Sequence, residues 1–525
     1  MNLFLVSLIP YAAFTISKTL KSIHMMQQNY YNDGNRFLNW IICNIKKVAF
    51  EVDVLFVLLI FTIFFNISVE IGLFIIIYGF AYIKSRKKKV SAKKPLVITA
   101  RVKRLLFTTF ILYTIMVIPF VINFSYSKLT FGYLILALAT YLNPFVVITA
   151  NFINKPIEKM VYFHYKFKAI KKLKEQNIPV VGITGSYGKT SSKNIINDIL
   201  NVKYNSFETP KSFNTPYGII NSINNYLDKF NDIFIVEMGA FKIGEIKQNC
   251  KLVHPKYGII TTIGEAHLES FGSRENIQKG KFELVESLPK DGLAILNGDD
   301  EYQLSYKIKN KCNVKWIGID NKNVDLYATN IKLSKNGTSF DCVFKGDKNK
   351  YTFNTKLLGK HNVYNILAGI LLGKEFGMSI DELRRGVSLV KPIEHRLELK
   401  KIGMINIIDD AYNSNPVGSK MALDVLKLMD GKKIVVTPGM VELGDKQYEL
   451  NYKFGEYISE SVDVAILIGK NQTKPIYDAL KKSKFKDDNL YVLNDVRDAF
   501  KLLNKIADSN TYVLLENDLP DLFNE

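Results

Sequence analysis

Val180-Val-Gly-Ile-Thr-Gly-Ser-Tyr-Gly-Lys-Thr-Ser-Ser192 joins an apolar run to a glycine turn and then to a polar-apolar helical pattern. Val180 to Thr184 predicts a buried strand, Gly185 and Gly188 predict a turn that side chains would obstruct, and a helix is expected to open near Lys189. A helix N-terminus behind such a turn aims free N–H groups at an anion. The stretch therefore reads as a phosphate cradle, with Lys189 on the β- and γ-phosphates of ATP and Thr190 on Mg²⁺. Its form is GxxGKT, because the first glycine of GxxxxGK[ST] would fall at Ile183. On these residues alone, a plain turn before a helix is the competing reading.

The rest of the chain divides sharply in composition. At 525 residues it is long enough for about three domains. The hydrophobic fraction is 47%, yet nearly all long apolar runs lie before residue 154. The four cysteines, Cys43, Cys250, Cys312 and Cys342, form no CxxC pair, which argues against a zinc site or a disulfide framework. A net charge of +20 admits nucleic acid or anionic lipid as partners. Nucleic acid is disfavoured, since the aromatics sit in apolar runs and not between the charges.

The N-terminal part reads as membrane. Leu3 to Ile16 is apolar, lacks a basic leader region, and predicts an uncleaved anchor. Val54 to Ile83 is too long for one span of about 20 residues and is interrupted by Asn66 and Glu70, which predicts a hairpin of two short spans. Leu105 to Phe124 and Phe131 to Ile153 are each expected as a single span. Between Lys84 and Arg104 stand ten basic residues and no acid, which places that loop in the cytoplasm. Five spans then put the basic segment Lys155 to Lys174, and all that follows, on the face where ATP is available. The expected location is the cell membrane, multi-pass, with membrane lipid as a partner of the basic runs.

From about Gln176 the pattern is that of an α/β protein. Strands are expected at Asp232 to Glu237, Tyr257 to Ile263, Leu293 to Leu296 and Val314 to Ile319. Asn323 to Lys356, with a turn at Asn336-Gly337, predicts an antiparallel flap inserted in the domain. A second set of strands, Ile405 to Ile408, Ile434 to Val436, Val464 to Ile468, Tyr491 to Leu493 and Tyr512 to Leu515, predicts a separate Rossmann-like domain. The expected divisions are a transmembrane region at 1–155, a basic linker at 156–177, an ATP-binding domain at 178–390 and a C-terminal domain at 391–525.

Two further residues stand at strand ends, where open α/β sheets bind ligands. Glu237 closes the apolar run Phe234-Ile-Val-Glu237, and His267 follows Thr262-Ile-Gly-Glu-Ala266. Alone, Glu237 reads equally as a strand-end carboxylate facing water, and a lone His267 is more often a structural hydrogen-bonder than a ligand. With Thr190 they make an oxygen and nitrogen shell suited to Mg²⁺.

Taken together, Gly185-Ser-Tyr-Gly-Lys-Thr190, Val236-Glu-Met-Gly-Ala240, Ala266-His-Leu-Glu-Ser-Phe-Gly272, Gly359-Lys-His-Asn-Val-Tyr-Asn365 and Asp409-Asp-Ala-Tyr-Asn-Ser-Asn-Pro416 resemble the Mur ligases, ATP-dependent amide ligases of peptidoglycan synthesis. The last two stretches and Pro438-Gly-Met-Val-Glu-Leu-Gly444 look most like the branch that adds D-alanyl-D-alanine to UDP-N-acetylmuramoyl-tripeptide. The resemblance runs from about Ile178 to Glu516. It implies an α/β fold, a P-loop central domain followed by a Rossmann-like C-terminal domain, here preceded by an α-helical transmembrane region.

The resemblance also implies roles. Gly185, Ser186, Tyr187, Gly188, Lys189, Thr190 and Ser191 would hold the triphosphate. Thr190, Glu237 and His267 would serve Mg²⁺, together with Lys281 if carbamylated, Lys279 being its nearest competitor. Asn362 would contact adenine, Asp410 the ribose, and Arg396 would reach the phosphates from the C-terminal domain. Asn214, Thr215, Tyr412, Asn413 and Asn415 fall on the substrate side. The implied reaction joins an amino acid or dipeptide amine to a cell-wall precursor carboxylate through an acyl phosphate. Departures lie on that substrate side: Asn214-Thr-Pro216 replaces Asn-Asn and a non-proline residue, and Leu514-Leu-Glu-Asn-Asp-Leu-Pro520 replaces a Lys-Gly-Ser-Arg-like turn. With membrane spans where soluble members carry a UDP-muramyl-binding domain, a lipid-linked precursor is the expected acceptor. A poly-amino-acid ligase, or a P-loop ATPase or regulator that forms no amide, are the alternatives.

Overall fold

The computed structural model describes residues 2–29, 31, 36–45, 48, 52–62, 67–87, 95–122, 126–412, 414–441 and 443–518. It separates into two compact units, Met1–His164 and Tyr165–Glu525.

The first unit is helical. Its main helices are Asn2–Gln28, Ile67–Lys87, Ala100–Ile122, Tyr126–Tyr141 and Asn143–Gln176, the last running on into the second unit. Phe4, Tyr11, Phe14, Phe74, Tyr78 and Tyr133 form an aromatic core. Polar groups are also buried, and several are paired. Lys18 forms an ion pair with Asp53, and Asn143 donates to Thr19 Oγ1 at 2.8 Å and to the Tyr113 hydroxyl at 3.0 Å. Large apolar side chains such as Phe107, Phe110 and Ile76 face outward.

Among the described residues, one helix, Ser68–Arg86, is long and apolar enough to cross a membrane, or two if a bent pair counts as one span. That pair corrects the expectation for Phe131 to Ile153. The chain bends by 79° between Phe131–Tyr141 and Asn143–Gln176 instead of continuing straight. Pro144 breaks the ladder, since it has no N–H to donate to the preceding turn, and the Asn143 side chain held by Thr19 and Tyr113 fixes the direction after the break. Asn66, expected at a hairpin turn, lies outside the described residues, as do Lys88, Lys89, Lys93 and Lys94 of the basic loop. Residues 156–177, expected as a linker, are helical up to Gln176.

The second unit holds two sheets. The first has the order β2-β3-β1-β4-β5-β6-β7-β8-β9. Its parallel members are β1 (Val180–Thr184), β2 (Ser206–Glu208), β3 (Ile233–Glu237), β4 (Tyr257–Ile260), β5 (Leu293–Asn297) and β6 (Asn313–Gly318). All five residues of β1 are buried, as a strand covered on both faces requires. Helices Lys189–Leu200 and Lys360–Glu375 pack together, with Ile195, Ile196 and Ile199 meeting Val363, Ile366 and Ile370 in one core. Burying each such side chain contributes about 1.5–3 kcal/mol. The flap expected between Asn323 and Lys356 is not an insertion. β7 (Leu326–Ser334) pairs parallel with β6, and β8 (Gly337–Phe344) and β9 (Tyr351–Thr355) extend the same sheet antiparallel. The alternation of Leu326, Ala328, Phe340, Cys342 and Phe353 is spent on that shared core.

The second sheet, β10-β11-β15-β12-β13-β14, is built from β10 (Glu398–Ile402), β11 (Ile405–Asp410), β12 (Lys432–Thr437), β13 (Val464–Ile468), β14 (Leu490–Leu493) and β15 (Thr511–Glu516). Five strands are parallel neighbours; β10 is an antiparallel edge. Its sequence, Glu-Leu-Lys-Lys-Ile, buries too little to betray a strand, and pairing with β11 alone orders it.

Candidate active site

In the first sheet β1 lies between β3 and β4, so the loops leaving all three strands meet at one end. Crossovers depart to opposite sides there, which opens the crevice in which doubly wound sheets bind ligands. The glycine loop occupies it. Gly185 has φ +152°, and a Cβ on it would collide with Thr261 Oγ1. Gly188 has φ +77° at the N-cap of helix Lys189–Leu200. Neither position accepts a side chain without moving backbone.

The loop is bolted to the segment after β4. Ser186 N donates to Thr262 O at 2.6 Å, Thr261 Oγ1 to Tyr187 O at 2.5 Å, and Gly264 N to Ser186 Oγ at 3.0 Å. Asn365 of helix Lys360–Glu375 lies over Gly188. The loop is thus tied to the sheet by contacts that need no ligand.

Lys189 folds back on this loop, its ammonium donating to Gly185 O at 2.9 Å and Ser186 O at 3.1 Å. Burial holds its pKa below the ordinary lysine value; Glu237 opposes that shift and the Arg396 charge adds to it. Lys281, on helix Arg274–Glu286, is 1% exposed. Burial, and then the Lys189 charge, push its pKa well down. Arg396 comes from the turn before β10, with its guanidinium 4.4 Å from the centre of the Tyr412 ring. Three cationic side chains from three elements thus act on one another. Their mutual repulsion is relieved by losing a proton or by gaining an anion.

Glu237 closes β3 and is fully buried. Its Oε1 accepts from Asn214 Nδ2 at 2.9 Å, whereas its Oε2 has no hydrogen-bond partner and lies 3.7 Å from Lys193 Nζ. A buried carboxylate oxygen left in that state is what a Mg²⁺ ion would complete. No cluster of three or more His, Cys, Asp or Glu side chains fit for a metal occurs among the described residues. Glu237 with Thr190 and the phosphates of a bound nucleotide would supply oxygen donors of the kind Mg²⁺ takes. His267 has φ +61°, and its ring lies against Phe241 with centroids 4.5 Å apart.

The other expected residues fall into place unevenly. Asp410, at the end of β11, pairs in register with Glu516 at the end of β15. Burial and the neighbouring Asp410 charge raise Glu516 well above the carboxylate range. Burial likewise lifts Asp410 to about 6, against the pull of Arg396. Asn362 donates to Leu358 O at 2.8 Å. Thr215 and Asn415 are helix N-caps, accepting from Gly218 N at 3.3 Å and Gly418 N at 2.8 Å. Tyr412 hydrogen-bonds Ser212, linking the C-terminal sheet to the loop that carries Asn214. Asn413 lies outside the described residues.

Some residues escape a reading of motifs. Lys193 is 1% exposed and donates to Thr209 O at 2.6 Å and Lys211 O at 2.5 Å, tying the P-loop helix to the Asn214 loop beside Glu237. His395 Nδ1 meets Asp409 Oδ2 at 2.8 Å, and His395 and Leu397, on either side of Arg396, have φ +59° and +50°. That turn aims Arg396. His361 is the third: burial, and then the Arg396 charge, push its pKa down to about 4. Unfolded, the same histidine titrates near 6.5. The His361 contribution to stability should therefore be level above about pH 6.5 and fall as the pH drops toward 4, where the unfolded chain binds the extra proton, by at most on the order of 3 kcal/mol. Urea unfolding of wild type and His361→Gln across that range should show it as a difference between the two proteins that changes as the pH falls.

A glycine cradle at a sheet switch point, a buried carboxylate and a cation delivered from a second α/β domain define a P-loop nucleotide-binding protein whose site is completed across two domains. Comparison with known proteins narrows the class. The Mur ligase middle domain matches residues 183–373, and the Mur ligase glutamate ligase domain matches residues 395–516. The chain is 33% identical over 349 residues to the UDP-N-acetylmuramoyl-tripeptide–D-alanyl-D-alanine ligase of Bacillus subtilis, covering 66% of this chain and 74% of that one. The Escherichia coli enzyme of the same name is 30% identical over 300 residues, 56% of this chain and 66% of its own. The structure of MurF ligase from Thermotoga maritima in complex with ADP superposes with a TM-score of 0.61 at 24% identity, over 69% of this chain and 81% of that one. The chain belongs to the Mur ligase family and is an ATP-dependent amide ligase.

Proposed function

We propose that the chain is a membrane-anchored ligase of the D-alanyl-D-alanine-adding type. It would join an amino acid or dipeptide to the carboxylate of a cell-wall precursor. One observation carries the reading: Lys189, Lys281, Arg396 and the half-satisfied Glu237 converge on the glycine cradle from separate elements. Nucleotide binding alone does not call for a buried lysine and a buried, half-satisfied carboxylate beside the cradle. Amide formation does, because a carboxylate must approach the γ-phosphate and two anions must be held together.

The residues divide the work. Lys189 and the loop N–H groups hold the phosphates, and Lys189 offsets charge on the oxygens as phosphoryl transfer proceeds. Mg²⁺ bound by Thr190, Glu237 and, through His267 and a carbamylated Lys281, a second site would add Lewis-acid charge to the phosphates. Arg396 and Asp410 reach the nucleotide from the C-terminal domain, and closing that domain keeps water from the acyl phosphate. An amine then attacks the acyl carbon, and phosphate leaves.

The relatives' printed names point to a UDP-linked muramoyl-tripeptide acceptor and D-alanyl-D-alanine. The departure at the end of β15 sets the Glu516 carboxyl against Asp410. The apolar exterior of the first unit supports a lipid-linked acceptor delivered at the cytoplasmic face of a membrane. Full-length protein should release phosphate from ATP only when both an acceptor and an amine are present, with a product heavier by the amine less one water in mass spectra. Turnover of soluble UDP-muramoyl-tripeptide but not of its lipid-linked form would remove the lipid-linked acceptor. Amine-independent hydrolysis would remove the ligase reading.

A further inference from the structure

The helix Asn143–Gln176 carries a surface that the ligase chemistry does not use. At 100° per residue, Phe145, Phe152, Met160, Phe163 and Phe167 fall within an arc of roughly 80°. Their exposures are 48%, 66%, 72%, 39% and 65%. The opposite side is the packed one. Val147, Ala150, Asn151, Asn154 and Ala169 are buried there, and Glu158 on the same side is held by Arg104 at 2.7 Å. This is an amphipathic helix with its apolar stripe turned outward.

Lysines border the stripe. Lys155, Lys159 and Lys166 run along one edge, Lys171 lies toward the other, and Lys174 continues the stripe itself. Two of the ammonium groups lie over the exposed rings, Lys155 at 5.2 Å from Phe152 and Lys159 at 6.0 Å from Phe163. The sector contains no acid; Glu175, which pairs with Lys171 at 3.7 Å, lies well outside the stripe. Aliphatic stems beside aromatic rings, with cationic heads at the border, match the boundary between acyl chains and anionic headgroups.

The bend gives the direction. If Phe131–Tyr141 stands along a membrane normal, the 79° turn lays Asn143–Gln176 close to the bilayer plane. We infer that this helix, about 50 Å long, is an in-plane interfacial helix whose outward stripe enters the headgroup boundary of an anionic leaflet. The inference rests on the membrane reading of the first unit and adds to it a second, electrostatically selected contact.

The test uses tryptophan emission from full-length protein in a Trp40→Phe, Trp316→Phe background, which removes both native tryptophans. Phe167→Trp reports the stripe, Lys168→Trp a neighbouring direction outside it, and Phe110→Trp the exposed face of helix Ala100–Ile122. Proteins are reconstituted in phosphatidylcholine vesicles with or without phosphatidylglycerol, carrying brominated acyl chains. Emission of the Phe167→Trp protein should fall about twofold with bromine near the headgroups, more with phosphatidylglycerol than without, while that of the Lys168→Trp protein changes little. Changing the five bordering lysines to glutamine should abolish the dependence on phosphatidylglycerol. If deep bromines quench the Phe110→Trp protein and no bromine quenches the Phe167→Trp protein, the interfacial helix is wrong and the membrane reading stands. If neither is quenched, both are wrong. An emission shift of the Phe167→Trp protein that depends on protein concentration and not on lipid would mean that a second copy covers the stripe, which also overturns the inference.

Discussion

Replacing Lys189 with alanine is expected to lower amine-dependent phosphate release by about two to three orders of magnitude, the loss typical of a preorganised charge facing a transition state. The geometry explains why no neighbour compensates. The Lys189 ammonium is held by Gly185 O and Ser186 O at the mouth of the cradle, where its own loop fixes it. Lys281 and Arg396 act on the same region from a different helix and a different domain. Burial already disfavours the charged form of Lys189, so an approaching phosphate restores its full charge and gains more than a solvated lysine could offer. The fall should appear in kcat, with the circular dichroism spectrum retained, since the strand core at Val181 and Ile183 does not involve this side chain. A variant that kept near-normal turnover would mean the cradle does not hold the reacting phosphate.

The second large effect is expected at Lys281. Its burial and the nearby Lys189 charge favour the neutral amine, which is the form that adds carbon dioxide to become a carbamate. Addition of carbon dioxide to that amine releases one proton and leaves a carboxylate-like anion beside the Lys189 charge, where the ammonium form was repelled. Lys281→Met should preserve the fold, because the aliphatic stem beside Phe271 is kept, yet cost activity by about 10²-fold or more. Wild-type protein assayed in carbon dioxide-depleted buffer should lose activity and regain it on adding bicarbonate, whereas Lys281→Met should not respond. A wild-type enzyme indifferent to bicarbonate would leave Lys281 as a buried amine without the carbamate role.

Local chemistry was legible where it is written in consecutive residues. GxxGKT needs only backbone freedom at two glycines and a helix start, and Glu237 needs only an apolar strand ahead of it. The antiparallel strands after Asn323 were legible as strands but not as part of the main sheet, because alternation records which side chains are buried and not what buries them. β10 and the Lys193 ammonium were not legible at all: one is ordered by a single partner strand, and the other satisfies carbonyls that lie 16 and 18 residues away.

By itself, then, the amino-acid sequence determined the strand and helix periods, the glycine cradle, the order of the family's motifs and the apolar, basic character of the N-terminal part. Those properties depend on neighbouring residues along one element. Only the tertiary structure decided that β1 stands between β3 and β4, that Asp410 faces Glu516 across two parallel strands, that Arg396 is aimed by a strained turn pinned through His395 and Asp409, and that the apolar run past Tyr141 turns through 79°. Strand order, carboxyl pairing and helix direction are set by contacts between distant segments. Each is chosen by which buried charges and apolar faces can be satisfied together, a condition no single stretch of sequence contains.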